Sequence, residues 1–300
     1  MFKSFEVIET FIKDVFDCSF LQQPINTRIK DIGELRTAHT VVNEIINRKE
    51  FSFSEEFIEH VFPIIEVAIQ WDELKSNRKI SANFIENCRR RLSASGSNFR
   101  GAIFEIDMAT RCLLSDWRVE FPEDYVKKEK QVDLLIEKTN GEILALECAQ
   151  KRGASSVKVS DINEIIKEKC KKFSPKHLGK LRQWKGRDFR LDKKAIIVDL
   201  TTSRYMVPAG ILENQENIKL CKNIDGIILT WREKEIKCGS YSVKIKYRVL
   251  GNLPDKYFST TWAAEFRLTG NRPVFFLRKY VGPEPFHSTW GPEERFQGIS

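Results

Sequence analysis

The sequence predicts a mixed α/β protein: a mixed sheet flanked by helices, with a helical region before it and a β-rich extension after it. Three observations carry this. Residues 131–150, QVDLLIEKTNGEILALECAQ, alternate around an Asn-Gly turn as a β-hairpin does. Residues 98–114, NFRGAIFEIDMATRCLL, repeat apolar side chains at helical spacing. KAIIVDL and DGIILTW are short unbroken apolar runs, the pattern of strands covered on both faces.

Taken in order, residues 1–95 hold amphipathic helical patterns around 5–16, 32–48, 55–71 and 81–92, with 13 basic against 15 acidic side chains. That near-neutral balance suits a helical wing that docks a protein partner or a second copy of the chain better than a nucleic-acid groove. Arg89-Arg90-Arg91 followed by Ser93-Ala94-Ser95-Gly96-Ser97 reads as a helix end and connector, placing a boundary before a core of residues 96–232. Within that core come the helix at 98–114, a strand near 117–121, the hairpin, a basic helix near 159–173, KAIIVDL, a helical stretch near 208–221, and DGIILTW. From 233 to 300, SYSVKIKYRVL and RPVFFLRKY alternate as strands, with a Gly-Asn turn at 270–271 and a tail too rich in Pro and Gly for a regular element.

Composition narrows the classes. The chain has 300 residues, 41% of them hydrophobic, enough for packed cores. The opening MFKSFEVIETFIKDVF is broken by charges at helical intervals, so it reads as an amphipathic helix rather than a leader or a membrane span. Seven scattered cysteines without a C-x-x-C pair suit reduced thiols, a cytoplasmic location and no zinc motif. The four histidines lie far apart, and no P-loop or dinucleotide fingerprint is present.

The hairpin carries the chemistry. A two-residue Asn140-Gly141 loop would pair Asp133 with Cys148 and put Glu147 on the opposite face. A three-residue loop, Thr139-Asn140-Gly141, closed by a left-handed Gly141, pairs Lys138 with Glu142 and Asp133 with Glu147; this is the favoured register. Asp133, Leu135, Ala145, Glu147, Ala149 and Lys151 then share one face, and Val132, Leu134, Ile136, Leu144 and Leu146 the other, which Cys148 helps to fill. Two carboxylates at cross-strand distance can seat a divalent cation. Upstream, Glu105 lies on an apolar helical stripe with Ala102, Met108, Ala109 and Cys112. A buried carboxylate there needs a metal or a basic partner across an interface. Asp107 and Arg111 are expected to face solvent.

This order of elements and these acids resemble the PD-(D/E)XK nuclease superfamily, the restriction-endonuclease-like fold, over residues 98–232. The resemblance implies a phosphodiester hydrolase, with Asp133, Glu147 and Glu105 as ligands of Mg²⁺ or Mn²⁺, and roles such as restriction, repair or defence. The metal would acidify a bound water and neutralise charge on the phosphate. The family's lysine two residues after the second acid is replaced here by Ala149. Lys151, on the same strand face as Glu147, is the candidate to orient water or stabilise developing charge. Two readings stay open beside it: a lysine from the next helix, such as Lys158, or a site that binds without cutting.

Charge supports a nucleic-acid partner, DNA ahead of RNA. Residues 151–194 hold 15 Lys and Arg against 5 Asp and Glu, directly after the acid pair. Lys158, Lys167, Lys171, Lys172, Arg182 and Lys185 are the candidate phosphate contacts. Lys167, Lys169, Lys171 and Lys172 are expected on the exposed side of the helix, with Ile162, Ile165, Ile166 and Phe173 on the sheet. Residues 174–192 are expected to form a loop, with Trp184 and Phe189 either stacking on bases or anchoring it. Asp199 is expected to be structural, with a ligand role as the alternative. No membrane partner is expected.

Overall fold

The computed structural model describes residues 3–16, 62–76, 80–94, 99–122, 131–150, 157–185, 189–201, 208–237, 240–253, 260–269 and 272–281. The elements in chain order are α1 (Lys3–Phe16), α2 (Phe62–Ser76), α3 (Ala82–Ala94), α4 (Phe99–Leu114), β1 (Arg118–Glu120), β2 (Leu134–Glu137) and β3 (Ile143–Gln150). There follow α5 (Val159–Lys169), a 3₁₀ turn (Cys170–Phe173), α6 (Pro175–Lys185), β4 (Lys193–Asp199), α7 (Ala209–Leu212) and β5 (Gly226–Lys237). The last three are β6 (Ser240–Gly251), β7 (Thr260–Thr269) and β8 (Arg272–Val281). All eight strands join one mixed sheet in sequential order.

Strands β1, β2 and β3 pair antiparallel, β3–β4 and β4–β5 are parallel, and β5 to β8 return to antiparallel pairing. Parallel neighbours require a crossover, and α5–α6 and α7 supply the two. Both faces of the central strands are therefore covered, which is why KAIIVDL and DGIILTW read as unbroken apolar runs. On one face Leu134, Ile136, Leu144, Leu146, Cys148, Ala195, Ile197 and Ile228 pack under α1, α2, α3 and α4. On the other, Leu135, Ala145, Ala149, Ile196, Val198, Ile227 and Leu229 pack under α5, the 3₁₀ turn, α6 and α7. Val132 falls in this second cluster, opposite to its expected face, because regular pairing has ended before it.

The helical N-terminal region shares this core. Phe11 of α1 meets Trp71 of α2 edge to face at 6.2 Å, and both lie in the same apolar cluster as α4 and the sheet. Packing is continuous across the boundary expected near residue 95. The boundary expected at 233 falls inside β5, which pairs with β6 from Gly226↔Gly251 to Lys237↔Ser240. Gly226 is required there: a Cβ would stand 2.6 Å from the Leu250 carbonyl oxygen. Strand β7 was not anticipated, and the segment expected as a loop from 174 onward contains α6. The helix patterns at 32–48, the turn at 270–271 and the tail lie outside the described residues.

Candidate functional site

The hairpin adopts the three-residue loop. Lys138 N–H donates to the Glu142 carbonyl and Gly141 N–H to the Lys138 carbonyl, both at 2.9 Å, and Gly141 has φ of 81°. Asn140 Oδ1 accepts the Glu142 N–H at 3.0 Å, closing the turn. The register runs from Glu137↔Ile143 to Leu134↔Leu146, so Asp133 comes opposite Glu147 one step beyond the last regular pair. Where the ladder stops, the Asp133 side chain replaces it: Oδ2 accepts the Cys148 N–H at 2.7 Å.

Both acids are buried, Asp133 at 5% exposure and Glu147 at 0%. Their partners come from the following helix and turn. Lys172 Nζ lies 3.0 Å from Asp133 Oδ1 and 2.7 Å from Glu147 Oε1; Lys169 Nζ donates to the same Glu147 oxygen at 2.8 Å. Two carboxylates and two ammonium groups thus form a compact cluster at the end of α5. Lys169 and Lys172 do not lie on the exposed side as expected. The 3₁₀ turn tightens the chain after Lys169, and two buried carboxylates within reach outweigh solvation of the ammonium groups.

Burial pushes the Glu147 carboxyl up to about 8, and the Asp133 charge acts in the same direction; Lys169 and Lys172 pull against both. Burial works against the charged form of each lysine, but the acids outweigh it and raise both above the usual ammonium value. Lys172 therefore keeps its charge and can donate hydrogen bonds but not accept a proton. Glu147 Oε2 is buried and, among the described residues, has no hydrogen-bond partner. A buried unpartnered carboxylate oxygen is costly and invites a proton or a cation. Hard oxygen donors from Asp133 and Glu147 fit Mg²⁺ or Mn²⁺.

Glu105 does not join this group. It pairs with Arg91 of α3 at 3.1 Å, and Arg91 also stacks on Phe121 at 4.1 Å, so the interface pairing left open by the sequence is the one present. Among the described residues no group of three or more His, Cys, Asp or Glu is arranged to hold a metal ion. Of the other candidates, Lys158, Lys167 and Lys171 are exposed on and around α5. Lys185 pairs with Glu120, and both line a pocket together with Leu135, Ile143 and Phe189. Phe189 packs against the core. Arg182 lies in α6, and its side chain and all of Lys151 fall outside the described residues.

Asp107 and Arg111, expected in solvent, are 1% and 2% exposed. Arg111 bonds Asp107 at 2.9 Å and approaches Glu66 of α2 at 3.8 Å; Gln70 donates to Asp107 at 2.5 Å. Arg232 of β5 reaches Glu66 at 3.1 Å, Asp107 at 3.4 Å and Asp199 at 3.7 Å. Asp199 also accepts from Gln150 at 3.0 Å and from the Thr201 hydroxyl at 2.6 Å. This network lies on the sheet face opposite Glu147 and joins α2, α4 and the ends of β3, β4 and β5, which gives Asp199 its structural role. No sequence pattern separates such a layer of paired charges from a solvated helix face, because its partners are distant in the chain.

Comparison with known proteins gives no matching family model, no matching curated protein and no matching solved structure. Among the described residues, no helix is long and apolar enough to cross a membrane.

Proposed function

We propose that the chain is a metal-dependent phosphodiester hydrolase acting on nucleic acid, DNA in preference to RNA. The observation that carries this is the convergence of Asp133, Glu147 and the Lys172 ammonium group within hydrogen-bonding distance. The order α4, β1, β2, β3, α5, β4, with β3 parallel to β4, agrees with the restriction-endonuclease-like arrangement that the sequence resembles. Asp133 and Glu147 would hold Mg²⁺ or Mn²⁺, which supplies Lewis-acid polarisation and a more acidic water. Lys172 takes the place left by Ala149: it remains cationic, bridges both acids, and can stabilise charge building on the phosphate. Lys169 holds Glu147 in place, and the exposed Lys167 and Lys171 offer phosphate contacts beside it.

A second reading, a nucleic-acid-binding module without cleavage, is favoured by one feature: Lys169 and Lys172 already occupy Asp133 Oδ1 and Glu147 Oε1, oxygens that an ion would need. The test is incubation with plasmid, linear DNA, single-stranded DNA and RNA, with Mg²⁺, Mn²⁺ or EDTA, comparing wild type with Asp133→Ala and Glu147→Ala. The hydrolase requires cutting that EDTA abolishes and both substitutions remove while binding persists. Binding without cutting under every condition supports the module, and equal residual cutting in all variants overturns the hydrolase.

A further inference from the structure

Three cross-strand rows step along the sheet face that carries the acid pair. Arg118 of β1 lies opposite Glu137 of β2, which lies opposite Ile143 of β3; Glu120, Leu135 and Ala145 form the next row, and Asp133 and Glu147 come one step beyond it. Residues two apart on a strand share a face, and each such step is about 7 Å. The acid pair therefore stands about 7 to 14 Å from the first two rows. Helix α6 spans the same interval: it starts at Pro175, just after the turn that carries Lys172, and ends at Lys185, a rise of about 15 Å.

The first two rows hold a pocket. Leu135, Ile143 and the half-buried ring of Phe189 give it apolar walls, and Arg118, Glu120, Glu137 and Lys185 also line it. Its space, open mouth included, is about 320 Å³. That is near the lower limit for ligand pockets and admits one flat ring system rather than a base pair. Charge then selects among ligands. Lys185 pairs with Glu120, and Arg118 lies 3.4 Å from Glu137, so among the described lining residues two cations are matched by two acids. Such a balance offers a phosphate no net attraction. It suits a neutral ring whose edge carries donors and acceptors: a nucleobase presents N–H groups to the carboxylates and ring nitrogens or carbonyls to the cations, while its face stacks on Phe189.

We propose that this pocket binds one unpaired nucleobase of the substrate, a few nucleotides from the scissile phosphate, so that the substrate class is nucleic acid with a single-stranded segment. The site rests on the nucleic-acid reading of the acid–lysine cluster. A strand rising about 3.4 Å per nucleotide covers the interval from pocket to acid pair in about two to four steps. A base inside a duplex is paired and stacked, and turns its face to Phe189 only by leaving the stack. Single strands, flaps and frayed ends present such a base at little cost.

The test measures fluorescence anisotropy of the full chain with a labelled single-stranded DNA of about 12 nucleotides and with the same backbone made abasic, in EDTA and in Ca²⁺. The intact strand should bind about tenfold more tightly than the abasic one, the low end for a single base–aromatic stack. Phe189→Leu keeps apolar packing against the core but loses the aromatic face. It should weaken the intact strand by about that factor and leave the abasic strand unchanged, and Phe189→Trp should restore the difference. Equal binding of intact and abasic strands overturns the pocket, as does an equal loss for both in Phe189→Leu. A preference for the intact strand that Phe189→Leu leaves untouched puts the base elsewhere and overturns it too. Base-dependent binding that Phe189→Leu abolishes, without cleavage in Mg²⁺, leaves the pocket standing and counts against the hydrolase. Binding of neither strand overturns both.

Discussion

Lys172 is the side chain on which the acid pair turns. It touches Asp133 Oδ1 and Glu147 Oε1 at once, and the acids keep it charged. Replacing Lys172 with Met should lower the cleavage rate by about 10²-fold while nucleic-acid binding changes little, as expected for a group used mainly in the transition state. Single-turnover cleavage and gel-shift titration separate the two. Glu147 supplies a pH dependence. Its carboxyl, raised to about 8, is largely protonated at neutral pH, whereas a metal ligand must be ionised. Cation affinity should therefore rise from pH 6 to about pH 8, with release of close to one proton per ion at the acidic end. Titration calorimetry in buffers of different ionisation enthalpy reads that proton. For the metal-free fold the sign is opposite. Stability contributed by the raised carboxyl is complete below its ordinary value and is lost as pH rises through about 8.

At the scale of elements, the β2–β3 hairpin and α5 do separate work. The hairpin sets the acids in register through its loop, and Gly141 at φ of 81° has no neighbour that a Cβ would strike. Gly141→Ala should therefore cost only the backbone penalty, about 1 kcal/mol, measurable as a lower denaturation midpoint with an unchanged slope. Helix α5 buries Ile162 and Ile166 against the sheet and leaves Lys167 exposed, with Lys171 just beyond its end. Lys167→Glu and Lys171→Glu should each weaken nucleic-acid binding and flatten its logarithmic salt dependence by about one unit. An unchanged slope in both would remove α5 from the interface. The hairpin was legible in the sequence because turn chemistry and a two-residue period are local. The inward direction of Lys169 was legible too, since helical spacing aligns it with the buried Ile162 and Ile166; that of Lys172 was not, because it lies in the 3₁₀ turn beyond the helix, where the helical period no longer fixes direction.

For the whole molecule, the paired charges between the N-terminal helices and the sheet bind the layers into one body. Burial raises the Glu66 carboxyl, while at Asp107 the Arg111 and Arg232 charges outweigh burial and hold the carboxyl below its usual value. Asp107→Ala strands Arg111 without its closest acid and should cost about 3–5 kcal/mol in denaturant unfolding. Joint replacement of Asp107 by Leu and Arg111 by Met should restore much of that loss, because apolar groups leave no buried charge unpaired. The sequence by itself determined the α/β architecture, the hairpin register and the meeting of Asp133 with Glu147, because periodicity and turn geometry act over a few residues. Only the tertiary structure decided which cations meet those acids, 22 and 39 residues away in the chain. It also turned Glu105 to Arg91 and buried Asp107 with Arg111. Such pairings depend on which elements pack together, and the energy of a charge is fixed by the partners and solvent that packing leaves it.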